Sequence, residues 1–282
     1  MKRTKKARVF FGIVLLILFF FVLSSSIKNY DLDSLLAKVS PDVVYVTVEV
    51  TVTPELPEEE IIETPEPTPT IDPNSPEGRA AAMGLPKPPD IDINSWEFLL
   101  ANGDNSIDEY EPPELVKIAG ETDEQYDTRI VEALKAFAQD ARDQNLPVYL
   151  SSGYRSYSTQ AANFVRICQN NGVADGKNAN GFYITMPAGC SEHQTGLACD
   201  ITDIYRNPKR SEEIEPTATF QYMKDRCQEF GFILRFPKDK ESVTGVMFEP
   251  YHYRYVGVEA AKYIMENGLC LEEFISLYRD IN

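Results

Sequence analysis

Histidine is scarce in this chain: there are two in 282 residues, His193 and His252, so any imidazole chemistry must run through those positions. Cysteine is present five times, as Cys168, Cys190, Cys199, Cys227 and Cys270, yet no two form a C-x-x-C pair. A cysteine zinc site is therefore not expected. No segment repeats at a fixed period, which argues against a solenoid or propeller. A basic patch is also missing. The net charge is −17, and a surface of that sign repels phosphate backbones, so no nucleic-acid partner is expected.

The charge is unevenly spread. Residues 1–8 carry five Lys or Arg and no acid, and an uncharged, mostly apolar run extends from Val9 to Ile27. Its length is close to the roughly 20 residues that cross a bilayer. The flanking positive charges are expected to stay in the cytoplasm. The reading is a single-pass membrane helix at the N-terminus, with the rest of the chain outside. A cleaved signal peptide is the competing reading: no A-x-A site comes after the run, though its serines are small enough to be cut. An exported chain can form disulfides. Cys168 and Cys190 flank a Gly- and Asn-rich loop that a bridge between them would pin; the alternative is that the thiols are small buried apolar groups.

Composition divides the chain into four regions. Residues 1–27 are the basic tail and anchor. Residues 28–53 form a short stalk, in which Val43 to Thr53 alternates like a strand. Residues 54–113 begin with a Pro-, Glu- and Thr-rich linker to about 77, extended by proline stiffness and charge repulsion. They continue as a loop-rich lead-in whose Trp96, Phe98 and Leu99 are candidates to pack onto the folded domain. Residues 114–282 are that domain. There, Thr122 is a candidate cap for a helix with Ile130, Leu134, Phe137 and Ala141 on one face. Ser158 is a candidate cap for a second helix to about Asn171, and a third covers about Thr217 to Phe230. Strands are expected at Val148–Leu150, Phe232–Phe236 and Val246–Tyr255, and helices near Val258–Glu266 and Leu271–Arg279. Intermixed helices and strands with tight links indicate one compact α+β domain.

The two histidines stand in segments dense with carboxylates: Ser191-Glu192-His193-Gln194-Thr195-Gly196-Leu197-Ala198-Cys199-Asp200, and Phe248-Glu249-Pro250-Tyr251-His252-Tyr253-Arg254. Two imidazoles and one carboxylate make a three-ligand set for a catalytic Zn²⁺ that leaves a position for water. His193, Asp200 and His252 are that set, with one Zn²⁺ per chain. A spacing of seven fits no helical face, so a turn at Gly196 must bring His193 and Asp200 together. A further carboxylate off the metal is needed to take a proton from water, and Glu249 is the candidate. Glu192 and Asp203 are read as solvent-facing or as supports outside the ligand set. Cys199 is expected to point away from the metal into the core.

These segments resemble the VanY-type D-alanyl-D-alanine carboxypeptidases. Ser191 to Asp200 matches S-x-H-x-x-G-x-A-x-D, and Glu249 to His252 matches E-x-x-H. Ser152-Gly153-Tyr154-Arg155-Ser156 with Gln160 resembles the upstream S-G-Y-R-S element, and Gly231 to Phe236 resembles a further shared stretch. The resemblance spans about residues 115–280. It implies a small α+β domain with a central antiparallel sheet flanked by helices. It also implies Zn²⁺ on His193, Asp200 and His252, and Glu249 as base. Arg155 would contact substrate near the scissile bond, and Gln160 and Ser191 would line the peptide site. Tyr154 either contacts substrate or packs in the core. Arg155 has two candidate jobs, offsetting charge on the amide oxygen or forking onto the substrate's terminal carboxylate. The expected activity is extracytoplasmic removal of the terminal D-alanine from peptidoglycan stem peptides, by a monomer. L,D-carboxypeptidase activity, endopeptidase activity and a non-catalytic wall-binding module remain the alternatives.

Overall fold

The structure is a computed structural model that describes residues 71–204 and 211–280. The expected membrane segment, stalk and most of the linker lie outside the described residues. Among the described residues no helix is long and apolar enough to cross a membrane.

In chain order the elements are helix α1 (Pro76–Ala82), strands β1 (Leu115–Lys117) and β2 (Gln125–Asp127), helix α2 (Val131–Asp143), strand β3 (Tyr149–Ser152) and helix α3 (Tyr157–Asn171). Strand β4 (Ala198–Thr202), helices α4 (Ser211–Ile214) and α5 (Ala218–Arg226), and strand β5 (Phe232–Phe236) come next. Helix α6 (Glu241–Thr244), strand β6 (Glu249–Tyr255) and helices α7 (Val258–Glu266) and α8 (Leu271–Tyr278) complete the chain. The central sheet has the order β3-β4-β6-β5, and every neighbouring pair is antiparallel. β1 and β2 form a separate small hairpin. An α+β domain with a central antiparallel sheet is thus what this chain adopts.

Alternation along the strands gives the sheet two different faces. On one face, Cys199, Ile201, Phe232, Leu234 and Tyr253 join Leu134, Phe137, Ala138 and Ala141 of α2 in the larger core. Phe137 is the centre of that packing. Its ring stacks 5.4 Å from Phe232 and 5.5 Å from Phe230, and meets Tyr253 edge-on at 5.4 Å. Truncating a phenylalanine packed this way costs about 3–5 kcal/mol. The opposite face carries Asp200, His252 and Arg254, with Ile233 opposite Arg254 across the β5–β6 ladder.

Ile233 belongs to the second core, built with Val256, Ala260, Ile264, Leu271 and Phe274. That core reaches back to Ala80, Ile93, Phe98 and Leu100, so the lead-in is packed structure. Tyr263 and Tyr278 donate from their hydroxyls to the carbonyls of Pro86 and Pro89, at 2.7 and 2.6 Å. Proline-rich composition conceals this, because a few well-placed apolar anchors suffice to hold an extended segment.

Strand β6 begins at Glu249, three residues after the expected start, and three further local details differ from expectation. Ser156, not Ser158, caps α3 by accepting from the backbone N–H of Thr159 at 3.2 Å. Thr122 caps no helix; its hydroxyl donates to the Leu150 carbonyl at 2.6 Å, and Asp127 caps the turn leading into α2. The third correction concerns the thiols. All five cysteines are free and buried, Cys168 and Cys190 included. Each sits at an interior position of the packed domain, where a small apolar side chain is what the site accommodates.

Candidate metal centre

The centre is assembled from two neighbouring strands and one turn. Asp200 and His252 are direct partners across the β4–β6 ladder. Partners in an antiparallel pair point to the same face, which sets His252 Nδ1 3.1 Å from Asp200 Oδ1. His193 arrives from a 3-10 turn, Glu192–Thr195, that ends at Gly196 with φ +71°. This is the left-handed conformation glycine adopts without a Cβ clash. A side chain there would also crowd the Asp127 backbone nitrogen at 3.0 Å. The turn brings His193 Nε2 to 3.5 Å from the same Asp200 oxygen.

Nδ1 of His193 lies 2.7 Å from the carbonyl oxygen of Gly153. A carbonyl only accepts, so Nδ1 carries the proton and the Nε2 lone pair faces Asp200. The two imidazole rings stand nearly perpendicular, 4.9 Å apart, and Phe236 backs the His252 ring at 4.9 Å. Ligand atoms of His193, Asp200 and His252 all lie within 4.8 Å of one another.

A divalent cation fits this set. Tetrahedral zinc with ligands at about 2.0–2.2 Å separates them by roughly 3.3–3.6 Å, close to the two distances from Asp200. Asp200 Oδ1 is buried without a hydrogen-bond partner, although a ring nitrogen of each histidine approaches it. An orphaned carboxylate oxygen between two imidazoles is a ligand set around a central cation.

The electrostatics agree. Burial pushes Glu249 up to about 7, opposed by His252 and reinforced by the charge of Asp200. Burial would lower His252, but the carboxylates of Asp200 and Glu192 raise it to about 9. Burial holds His193 below the ordinary imidazole value, against the pull of Asp200. Burial alone would raise Asp200, yet the adjacent imidazoles hold it well below the usual carboxylate range. The site thus concentrates negative charge that calls for a positive partner.

The remaining expected residues fall in three positions. Glu249 lines the cleft, its carboxylate 3.6 Å from His252 Nδ1. Arg155 also lines it, held by a hydrogen bond to Gln160 Oε1 at 2.6 Å and one to the Ser152 hydroxyl at 3.1 Å. Gln160 is 1% exposed, and its amide N–H also donates to the Met186 carbonyl. It therefore braces Arg155 and the loop wall. Ser191 lines the cleft beside the ligand turn. Tyr154 is half-buried and outside the cleft lining; its phenol is raised by burial and by Glu111. Ile167, Ile184, Met186, Phe236 and Tyr251 supply apolar walls.

Sequence reasoning left Glu192 undecided between solvent and support. It is buried, and its Oε1 accepts from Arg235 Nε at 2.8 Å and from Arg254 Nη1 at 2.9 Å. Asp203, by contrast, lies at the edge of the described residues beyond β4.

Comparison with known proteins points the same way. Residues 123–258 match the profile of the VanY family, described as D-alanyl-D-alanine carboxypeptidase. A D-alanyl-D-alanine carboxypeptidase of Enterococcus faecalis is 34% identical over 198 residues, covering 66% of this chain and 68% of that protein. The chain spans about two thirds of the length of the curated relatives it matches. Among solved structures, the LdcB LD-carboxypeptidase superposes with a TM-score of 0.58 at 32% identity, covering 67% of this chain and 90% of that one. A mutant of the vancomycin-resistance D,D-pentapeptidase VanY from a VanB-type resistance cassette, in complex with Zn(II), superposes with a TM-score of 0.54 at 33% identity. That match covers 64% of this chain and 99% of the other.

Proposed function

The chain belongs to the VanY family of D-alanyl-D-alanine carboxypeptidases, and from that premise we propose that it is a zinc carboxypeptidase that removes the terminal D-alanine from peptidoglycan stem peptides outside the cell membrane. The observation that carries the reading is the orphaned Asp200 oxygen between His193 and His252, with a second carboxylate, Glu249, beside it and outside the candidate ligand set.

His193, Asp200 and His252 would hold the ion. When bound, Zn²⁺ supplies Lewis acidity for activating water and polarising an amide carbonyl. The chain's own residues do the rest. Glu249, raised by burial, is poised to accept a proton from attacking water and return it to the departing amine. Arg155, braced by Gln160 and Ser152, brings a fixed positive charge to the cleft. That charge serves either the amide oxygen as it becomes negative or the peptide's terminal carboxylate. The apolar walls suit small methyl side chains and limit the water around the reacting groups. The basic tail and apolar run of residues 1–27 support placement of this domain on the outer side of a membrane. The working form is taken to be a monomer.

The likeness to an LD-carboxypeptidase supports a second reading, cleavage of tetrapeptide stems by the same centre. One experiment separates the two. The zinc-loaded full chain is incubated with a pentapeptide muropeptide ending in D-Ala-D-Ala and with the matching tetrapeptide, and the products are weighed by mass spectrometry. Loss of one alanine from the pentapeptide, abolished by a chelator and by Glu249→Ala, is expected. Cleavage of the tetrapeptide alone would move the enzyme to the L,D class. Cleavage of neither by folded, zinc-loaded protein would overturn both exopeptidase readings in favour of an endopeptidase or a wall-binding module.

A further inference from the structure

His252 stands between two carboxylates, and only one of them belongs to the ligand set. Its Nδ1 faces Asp200 Oδ1 at 3.1 Å, and its Nε2 faces Glu192 Oε2 at 3.6 Å. That second distance is an electrostatic contact, longer than a hydrogen bond. However, Nε2 and Oε2 are both buried and neither has a hydrogen-bond partner. Oε2 is therefore the acceptor available to an Nε2–H.

Glu192 is not free to turn away. Its Oε1 accepts from both Arg235 and Arg254. Arg254 continues to the carbonyls of Glu97 and Leu99, both at 2.8 Å. Arg235 is gripped from its other side by Glu272, which also accepts from Asn102 at 3.1 Å. Two carboxylates and two guanidiniums thus form a charge-balanced cluster, buried on every member. The cluster ties the ligand turn to β5, β6, α8 and the 97–102 segment.

A carboxylate oxygen can only accept, and a neutral imidazole carries one N–H. With that proton on Nε2, the lone pair falls on Nδ1, the nitrogen facing Asp200. His193 is set the opposite way, with Gly153 taking the Nδ1 proton and Nε2 left for the metal side. We propose that Glu192 is a positioning residue: clamped by Arg235 and Arg254, it fixes the ring orientation and tautomer of His252 so that Nδ1 binds the metal. This deepens the zinc reading above and rests on the triad holding an ion.

The test uses the full chain without a histidine tag, so that only two imidazoles are present. Long-range ¹⁵N NMR of the zinc-loaded wild type is expected to show one ring ligated through Nδ1 with a slowly exchanging Nε2 proton, and one ligated through Nε2. Glu192→Gln is expected to weaken zinc binding by about 10- to 100-fold in chelator competition on folded protein, the usual effect of losing a partner behind a ligand. Glu272→Gln removes the same charge from the same cluster without facing His252. It is expected to lower Tm and leave zinc affinity unchanged. Unchanged affinity in Glu192→Gln, or equal weakening in both variants, would overturn the proposal in favour of a merely structural cluster. If Glu192→Gln does not fold, the wild-type spectrum decides: two rings ligated through Nε2, or a His252 Nε2 proton exchanging as fast as an exposed imidazole's, would overturn it. A folded wild type that binds no zinc at these histidines would refute the metal reading itself, and this inference with it.

Discussion

Asp200 and His252 are direct partners across the β4–β6 ladder, and this pairing alone places a carboxylate oxygen 3.1 Å from an imidazole nitrogen. The metal centre is built on strands, so its geometry is as rigid as the sheet beneath it. Its third ligand, His193, depends instead on a turn, and the turn depends on two glycines and a strand end.

Glu249→Gln keeps the shape of the side chain and removes its basicity. Because Glu249 lies outside the candidate ligand set, zinc content measured by elemental analysis should stay at the wild-type level. The kcat for D-alanine release should fall by about 10²- to 10⁴-fold, the usual span for a lost general base. A parallel loss of zinc would make Glu249 a ligand instead.

Gln160 braces Arg155 without lining up as a proton donor or acceptor for chemistry. Gln160→Ala should cut kcat/KM about tenfold, corresponding to roughly 1.5 kcal/mol for one charge-assisted hydrogen bond. The loss should vanish in an Arg155→Ala background, because the brace then has nothing to hold. Additive losses in the double-mutant cycle would give Gln160 a separate role at the substrate.

Gly153 sits where the chain leaves β3, and its carbonyl receives the His193 N–H. A Cβ there would press on the Gln125 carbonyl and meet the Tyr126 ring at 2.8 Å. Tyr126 is fully buried and cannot retreat. Gly153→Ala should therefore destabilise the domain by about 1–3 kcal/mol, read as a lower Tm, and should weaken zinc binding as His193 shifts. Wild-type values of both would show that the strand end does not hold the ligand.

The five buried thiols should stay reduced under oxidising conditions. Denaturing the protein without reductant in the presence of an alkylating agent should add five adducts per chain. The folded protein should react slowly, because burial raises the thiols of Cys190, Cys199, Cys227 and Cys270 and disfavours the reactive thiolate. Three adducts, with Cys168 and Cys190 unmodified, would restore the bridge that their flanking positions suggest.

Much of the fold could be read along the chain because the signals are local. The short, mostly apolar run Phe232–Phe236 and the periodic Val258–Glu266 occupy the spans expected of them. Thr217 caps α5, at the residue where that helix is expected to begin. Competing hydroxyls were harder. Ser156 and Ser158 both suit a cap, and Thr122 found a better partner in the Leu150 carbonyl. That choice depends on where β3 runs, which no local pattern reveals. The packing of residues 76–101 was legible only in part: Trp96 and Phe98 pack as expected, whereas the anchors Ala80 and Ile93 are too sparse to form a periodic signal.

The sequence by itself named the candidate residues of the site. With two histidines, each beside acids in a distinctive segment, the ligand set His193, Asp200 and His252 and the neighbouring Glu249 could be named from residue types and motifs alone. Only the tertiary structure decided which nitrogen of each histidine faces Asp200, that Gln160 supports Arg155, and that Glu192 is buried behind His252. Residue types fix what a group can donate or accept. Whether a carboxylate faces water or a pair of arginines depends on β5 and β6, which meet it from 43 and 62 residues away.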